Sequence, residues 1–196
     1  RLPARPPRGR GLLVQVTPTA IPDVKVLEPK VFGDARGWFF ESFNRRVLEQ
    51  ALGRALDFVQ DNQSLSTRGV LRGLHYQNPF PQAKLVRVLH GEIFDVVVDL
   101  RRASPTLGRW VGERLSAENR RQIWVPEGFA HGFLTLSDQA EVLYKTTDYY
   151  HPETERCVRW DDPTLAIAWP LAGLTPSISG KDAKGLPLSE APVFEP

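Results

Sequence analysis

Three stretches of this 196-residue chain concentrate side chains that can move protons or hold anions: Arg72-Gly73-Leu74-His75-Tyr76-Gln77, Lys84-Leu85-Val86-Arg87 and Pro126-Glu127-Gly128-Phe129-Ala130-His131-Gly132-Phe133. The first puts a fixed cation, a titratable imidazole and an amide within six residues, between the apolar runs Val70-Leu71 and Leu85-Val86-Arg87-Val88-Leu89. That is more polar chemistry than a structural strand needs. An imidazole, with its ordinary pKa of about 6.5, can take a proton at neutral pH or ligate a metal, and arginine or lysine can hold an anion such as a diphosphate. Of the four histidines, His75 and His131 stand near glycines in strand contexts, whereas His90 precedes a turn and His151 a proline. A lone strand histidine is more often a hydrogen-bonded structural residue; the company of these two argues for chemistry.

These residues must be carried by strands. Side chains alternate faces along a strand, so Arg72, Leu74 and Tyr76 are expected on one face and Gly73, His75 and Gln77 on the other. Strand signals begin at Leu12–Val16 and continue through Val24–Leu27, Val31-Phe32 and Trp38–Phe43, with Gly33–Gly37 as a turn. One helix is predicted, Asn44 to Ala55, from an N-cap asparagine and the spacing of Val47, Leu48, Ala51, Leu52 and Ala55. The polar run Gln60-Asp61-Asn62-Gln63-Ser64 suits a strand lining a wet cavity and not a dry core. Ile93–Leu100 is nearly continuously apolar and is expected to be buried on both faces, with Asp95 and Asp99 within it read as structural hydrogen-bonding acids. Trp110–Glu113, Gln122–Val125 and the further pair Gly128–Leu136 and Glu141–Thr147 complete about ten short strands. The pattern predicts a mainly β, antiparallel jelly-roll sandwich or barrel with one or a few short helices, and not alternating βαβ units.

Composition bounds the function. Twenty-five Lys and Arg against 23 Asp and Glu, a net charge of +2, leave no basic block for nucleic acid. No stretch approaches the ~20 apolar residues of a membrane span. The single cysteine, Cys157, excludes an internal disulfide and fits a reducing cytoplasm, where a lone thiol is most often a small apolar residue. Residues 1–11, rich in Pro, Gly and Arg, are expected to form a mobile arm ahead of one domain, 12–196, with an extended C-terminal tail.

The segment Pro126-x-Gly128-x-x-His131 is similar to the second half of the cupin signature, in which a Pro-Gly turn throws a histidine into the mouth of a small barrel. A metal-binding cupin also needs a His-x-His pair and a Glu in its first half; here that half offers His75 alone, which weakens a metal reading. Gly37–Phe43, Gln60-Asp61-Asn62, Leu71–Gln77, Lys84–Arg87, Gly91–Val96, Pro126–Phe133 and Tyr144–Tyr150 together resemble the dTDP-4-dehydrorhamnose 3,5-epimerase family, over Val24 to Lys184.

The resemblance implies a cupin-like epimerase with His75 as general base, Tyr144 as proton donor, Asp182 orienting His75, and Lys84 beside the sugar's C4 oxygen. It implies Arg72, His131, Gln60 and Asn62 as further substrate contacts, Arg36, Glu41, Glu155 and Lys181 as nucleotide-sugar contacts, and Tyr150 as the aromatic that stacks on thymine. A dTDP-4-keto-6-deoxyhexose substrate, rhamnose or related deoxysugar biosynthesis, a homodimer and no metal or organic cofactor follow from the same resemblance. One departure is Gly180, where alanine is common before the Lys-Asp pair. A relative inverting only C3 or only C5, a metal-dependent cupin oxygenase, and a sugar-nucleotide-binding protein without turnover are the alternatives. Without the motif context, Tyr144 and Tyr150 read equally as core or rim aromatics, and Arg36 and Arg72 as solvated surface charges.

Overall fold

In the computed structural model, which describes residues 13–196, alternating apolar and polar side chains fold into thirteen strands. They are β1 (Val14–Pro18), β2 (Lys25–Pro29), β3 (Phe32–Asp34), β4 (Gly37–Phe39), β5 (Gln60–Thr67), β6 (Leu71–Gln77), β7 (Lys84–His90), β8 (Glu92–Asp99), β9 (Trp110–Ser116), β10 (Gln122–Val125), β11 (Phe129–Thr135), β12 (Gln139–Thr146) and β13 (Glu155–Cys157). The expected arm, 1–11, lies outside the described residues. One antiparallel sheet runs β1-β2-β10-β7-β12-β5 and a second β13-β6-β11-β8-β9, with β3-β4 a separate hairpin. This is the jelly roll that the pattern predicts. The neighbouring strands β11 and β12 fall in different sheets, because the chain crosses from one layer to the other between them.

The inner faces of the two sheets meet in a core that takes Val86, Val88, Ile123 and Val142 from the six-stranded sheet and Ile93, Val97, Leu115 and Phe133 from the five-stranded one. Part of each outer face is covered by other segments of the chain. The helix α1 (Arg45–Leu52) packs Leu48 against Leu27, Leu85 and Trp124 outside the larger sheet. The tail after β13 packs Leu165, Ala191, Trp169 and Phe194 against Leu74, Tyr76, Val96 and Val98 outside the smaller one. That cover explains the unbroken apolar run of β8, whose odd residues face the inter-sheet core and whose even ones face the tail.

Several boundaries differ from expectation, two of them around the helix. The Asn44 side chain caps α1 by accepting the Val47 N–H at 3.2 Å, as predicted, but the helix stops at Leu52 because Gly53 takes a left-handed conformation, φ 69°, with its N–H on the Glu49 carbonyl. The strand expected over Trp38–Phe43 ends at Phe39, and Trp38 and Phe39 are 62% and 65% exposed.

Candidate active site

The alternation expected along β6 breaks between Arg72 and His75. His75 pairs with His131 and Arg72 with Phe133, so three steps on β6 match two on β11. This bulge turns Arg72 to the same inner face as His75, where alternation alone sets them apart. Gly73 makes it possible: at φ 115° a Cβ there would lie 2.7 Å from both the Gly132 Cα and the His131 carbonyl oxygen. Facing them from the other sheet, Lys84 on β7 and Tyr144 on β12 point inward, with the Lys84 ammonium 5.8 Å from the Tyr144 ring centroid. Arg72, His75, His131, Lys84 and Tyr144, with Asn62, Gln63 and Ser64 of β5, line one cavity of about 280 Å³ between the sheets. The polar strand β5 is the wet wall its composition suggests.

The tail carries Asp182 to the back of His75. His75 Nε2 lies 2.6 Å from Asp182 Oδ1, while Oδ2 accepts the Gly73 N–H at 3.1 Å and the Asp182 N–H donates to Ser179 Oγ. Burial raises the Asp182 carboxyl pKa, but the His75 bond and charge and the Gly73 and Ser179 contacts outweigh it and hold the group below the usual range. Asp182 is therefore a carboxylate, an acceptor for an Nε2–H; in the neutral ring with that tautomer Nδ1 is the bare nitrogen. A Cβ on Gly180 would meet nothing within 4 Å, so the departure at that position removes no contact.

A second pair lies deeper. His131 Nε2 is 2.7 Å from Oδ2 of the fully buried Asp95, whose Oδ1 has no hydrogen-bond partner among the described residues. Burial pushes the Asp95 carboxyl up, against the pull of His131 and Lys84. Sequence reasoning did not place Asp95 at the site; the available signal was an acid inside an otherwise apolar run. Asp99 instead braces a loop, accepting from Arg101, Ser104 and Thr106.

Burial lowers the Lys84 ammonium to about 8, opposed by Asp95 and Glu155. Its charge is present at neutral pH and lost as pH rises through about 8. We expect kcat/KM to fall over that interval, and Lys84→Met to show a low profile without this alkaline limb. Stability should move the other way. The folded pKa lies below the ordinary 10.5, so the cost of the buried charge is full below about 8 and is relieved as pH rises toward 10.5, by on the order of a few kcal/mol. Denaturant unfolding of wild type against Lys84→Met between pH 7 and 10.5 measures it.

At the cavity mouth the Tyr150 hydroxyl donates to Glu155 Oε2 at 2.5 Å, and the Lys181 ammonium pairs with the same oxygen. Burial raises the Glu155 carboxyl, but Lys181 and Tyr150 outweigh it and hold it low. Gln60 braces this corner, accepting the Tyr150 N–H and donating to Asn62 Oδ1. Tyr150 stays half exposed. The Arg72 guanidinium rests on Ser66 Oγ at 2.9 Å. Arg36 and Glu41 are not brought to this cavity. Arg36 pairs with Asp34 in the β3–β4 hairpin, its side chain 88% exposed, and Glu41 accepts from Asn44 beside the helix.

The dTDP-4-dehydrorhamnose 3,5-epimerase family matches residues 18–190 of this sequence. The chain belongs to that family. The dTDP-4-dehydrorhamnose 3,5-epimerase of Pseudomonas aeruginosa is 60% identical over 181 residues, 92% of this chain and 99% of that protein. The crystal structure of a 3,5-epimerase from Legionella pneumophila in complex with dTDP-4-keto-L-rhamnose superposes with a TM-score of 0.88 at 54% identity, covering 90% of this chain and 94% of that one. A 3'-monoepimerase from Streptomyces bikiniensis in complex with dTDP-quinovose gives 0.83 at 36%, covering 88% and 87%. This family member is an isomerase of the 3,5-epimerase type, with the family's cupin-like jelly roll. No helix among its described residues is long and apolar enough to cross a membrane.

Proposed function

We propose that this epimerase inverts C3 and C5 of dTDP-4-dehydro-6-deoxy-D-glucose to give dTDP-4-dehydro-L-rhamnose, with His75 as base and Tyr144 as acid. The observation that carries the reading is that His75 and Tyr144 enter one cavity from opposite sheets. Inverting a carbon beside a ketone needs a base on one face and an acid on the other. His75 Nδ1 takes the proton as the enolate forms, and the Asp182 carboxylate steadies the resulting imidazolium. The Lys84 ammonium, with His131 nearby, stabilises the negative C4 oxygen. Burial raises the Tyr144 hydroxyl, which therefore keeps its proton until the enolate carbon takes it on the new face. Solvent reprotonates the tyrosinate and the imidazolium gives up its proton, after which the second carbon is inverted in the same way. None of these steps calls on a metal or an organic cofactor.

Greater identity to 3,5-epimerases than to the 3'-monoepimerase supports double inversion. Incubation with dTDP-4-keto-6-deoxyglucose in deuterated water tests it: deuterium at both C3 and C5 of an L-rhamno product is expected. A single exchanged carbon would replace the double epimerase with a mono-epimerase.

Tyr150 stacks on thymine in this reading, and Arg72 and Lys181 hold the diphosphate or neighbouring hydroxyls. dTDP should therefore raise the melting temperature by mass action, and dTMP should raise it less. Tyr150→Ala should weaken dTDP binding by about 1–3 kcal/mol, by analogy with base–aromatic stacking. Calorimetric titration of both proteins checks it; equal affinities would remove Tyr150 from the subsite.

Arg36 and the exposed Phe32, Trp38 and Phe39 belong to one hairpin. We read that hairpin as the contact of a homodimer that carries Arg36 to the partner's cavity, and residues 12–196 as one catalytic unit whose tail supplies Asp182. Sedimentation should show a dimer at working concentration; a fully active monomer would refute it. A cytoplasmic location belongs to the same reading, supported by the unpaired Cys157.

A further inference from the structure

Cys157 on β13 stands directly opposite His75 on β6, and directly opposed residues of an antiparallel pair project to the same face. Its Sγ, the His75 imidazole and an Asp182 carboxylate oxygen all lie within 4.8 Å of one another. No step of the proposed epimerisation uses this thiol. Thiolate, imidazole and carboxylate are the donors that zinc takes, and donors at about 2.0–2.3 Å from a tetrahedral zinc stand about 3.3–3.8 Å apart. Small side-chain adjustments bring these three into that range. From this convergence we propose that the back of the dyad is an inhibitory site for a thiophilic divalent cation, Zn²⁺, held by His75, Cys157 and Asp182 with water in the fourth position.

The surroundings suit a cation. Asp182 and Glu155 both place negative charge beside Cys157, with Lys181 opposing. On binding, the S–H proton passes to solvent as the S–Zn bond forms, and no electrons are transferred. Asp182 lies on the Nε2 side of His75, so a cation shared with the carboxylate is bound by Nε2. The ring proton then resides on Nδ1, the nitrogen that must be bare to receive the substrate's proton. The inhibition rests on His75 acting as that base; the binding does not.

The chain has one cysteine, so every thiol signal reports on this site. Zn²⁺ titrated into the metal-free protein by calorimetry should bind once per chain, and Cd²⁺ should produce a sulfur-to-metal charge-transfer band. Cys157→Ser should lose the band and at least about tenfold in Zn²⁺ affinity. It should also need at least tenfold more Zn²⁺ for half-inhibition of epimerisation. Absence of stoichiometric binding, or equal binding by Cys157→Ser, overturns the site. Binding that depends on Cys157 without loss of turnover overturns the inhibition and counts against His75 as the base, which separates failure of the metal site from failure of the proton-transfer reading.

Discussion

Replacing His75 by glutamine is expected to lower kcat by about 10²–10⁴-fold or more, the usual contribution of a positioned base, while the protein stays folded. The glutamine amide can stand where Nε2 stood and donate to the Asp182 carboxylate, so the bond that ties the tail to β6 survives. What disappears is the bare nitrogen facing the cavity. Because deprotonation comes first, exchange of substrate hydrogens with deuterated water should fall in step with turnover. Melting temperature and circular dichroism establish that the variant is folded, and the exchange rate is then read by NMR. A folded His75→Gln protein with near-normal epimerisation would remove His75 from the base role.

Tyr144→Phe should separate the two halves of the same reaction. The base remains, so the carbons beside the ketone still exchange with solvent. The acid on the opposite face is gone, so inverted product should fall by about 10²-fold or more. Loss of the hydroxyl leaves the ring's packing against Val86 and Val142 in place, and a gross change in fold is not expected. Time courses of deuterium incorporation and of product configuration, taken from one reaction, decide it. Equal loss of exchange and inversion would mean that Tyr144 does not act after His75 on a separate face. The contrast with His75→Gln is the strongest available test of the cavity's geometry, because a base and an acid carried by different sheets should fail in different ways.

Much of this protein is legible in its sequence, because much of it depends on neighbours a few residues away. Period-two patterning specifies a β fold, Asn44 starts the helix through a cap formed within one turn, and the polar run at Gln60–Ser64 marks a wet strand. The spacing of the motifs around His75, Lys84, His131 and Tyr144 is specific enough to point to the family. Tertiary structure alone decided how these residues face one another. Alternation assigns a face within a strand but is silent about which sheet the strand joins, and the placement of His75 and Tyr144 on opposing sheets follows from the chain crossing between layers. Arg72 turns toward His75 only because two strand backbones approach so closely at Gly73 and Gly132 that no Cβ fits, which inserts a bulge. Asp182, Asp95 and Cys157 reach the two histidines from the tail, the interior strand β8 and the edge strand β13. The Asp182 contact spans 107 residues of chain. Such contacts are set by packing between distant segments, so a residue's local spacing carries no record of them: Asp182 is reachable from the sequence only through the family resemblance, and Asp95 and Cys157 behind the histidines become visible only once the sheets have closed.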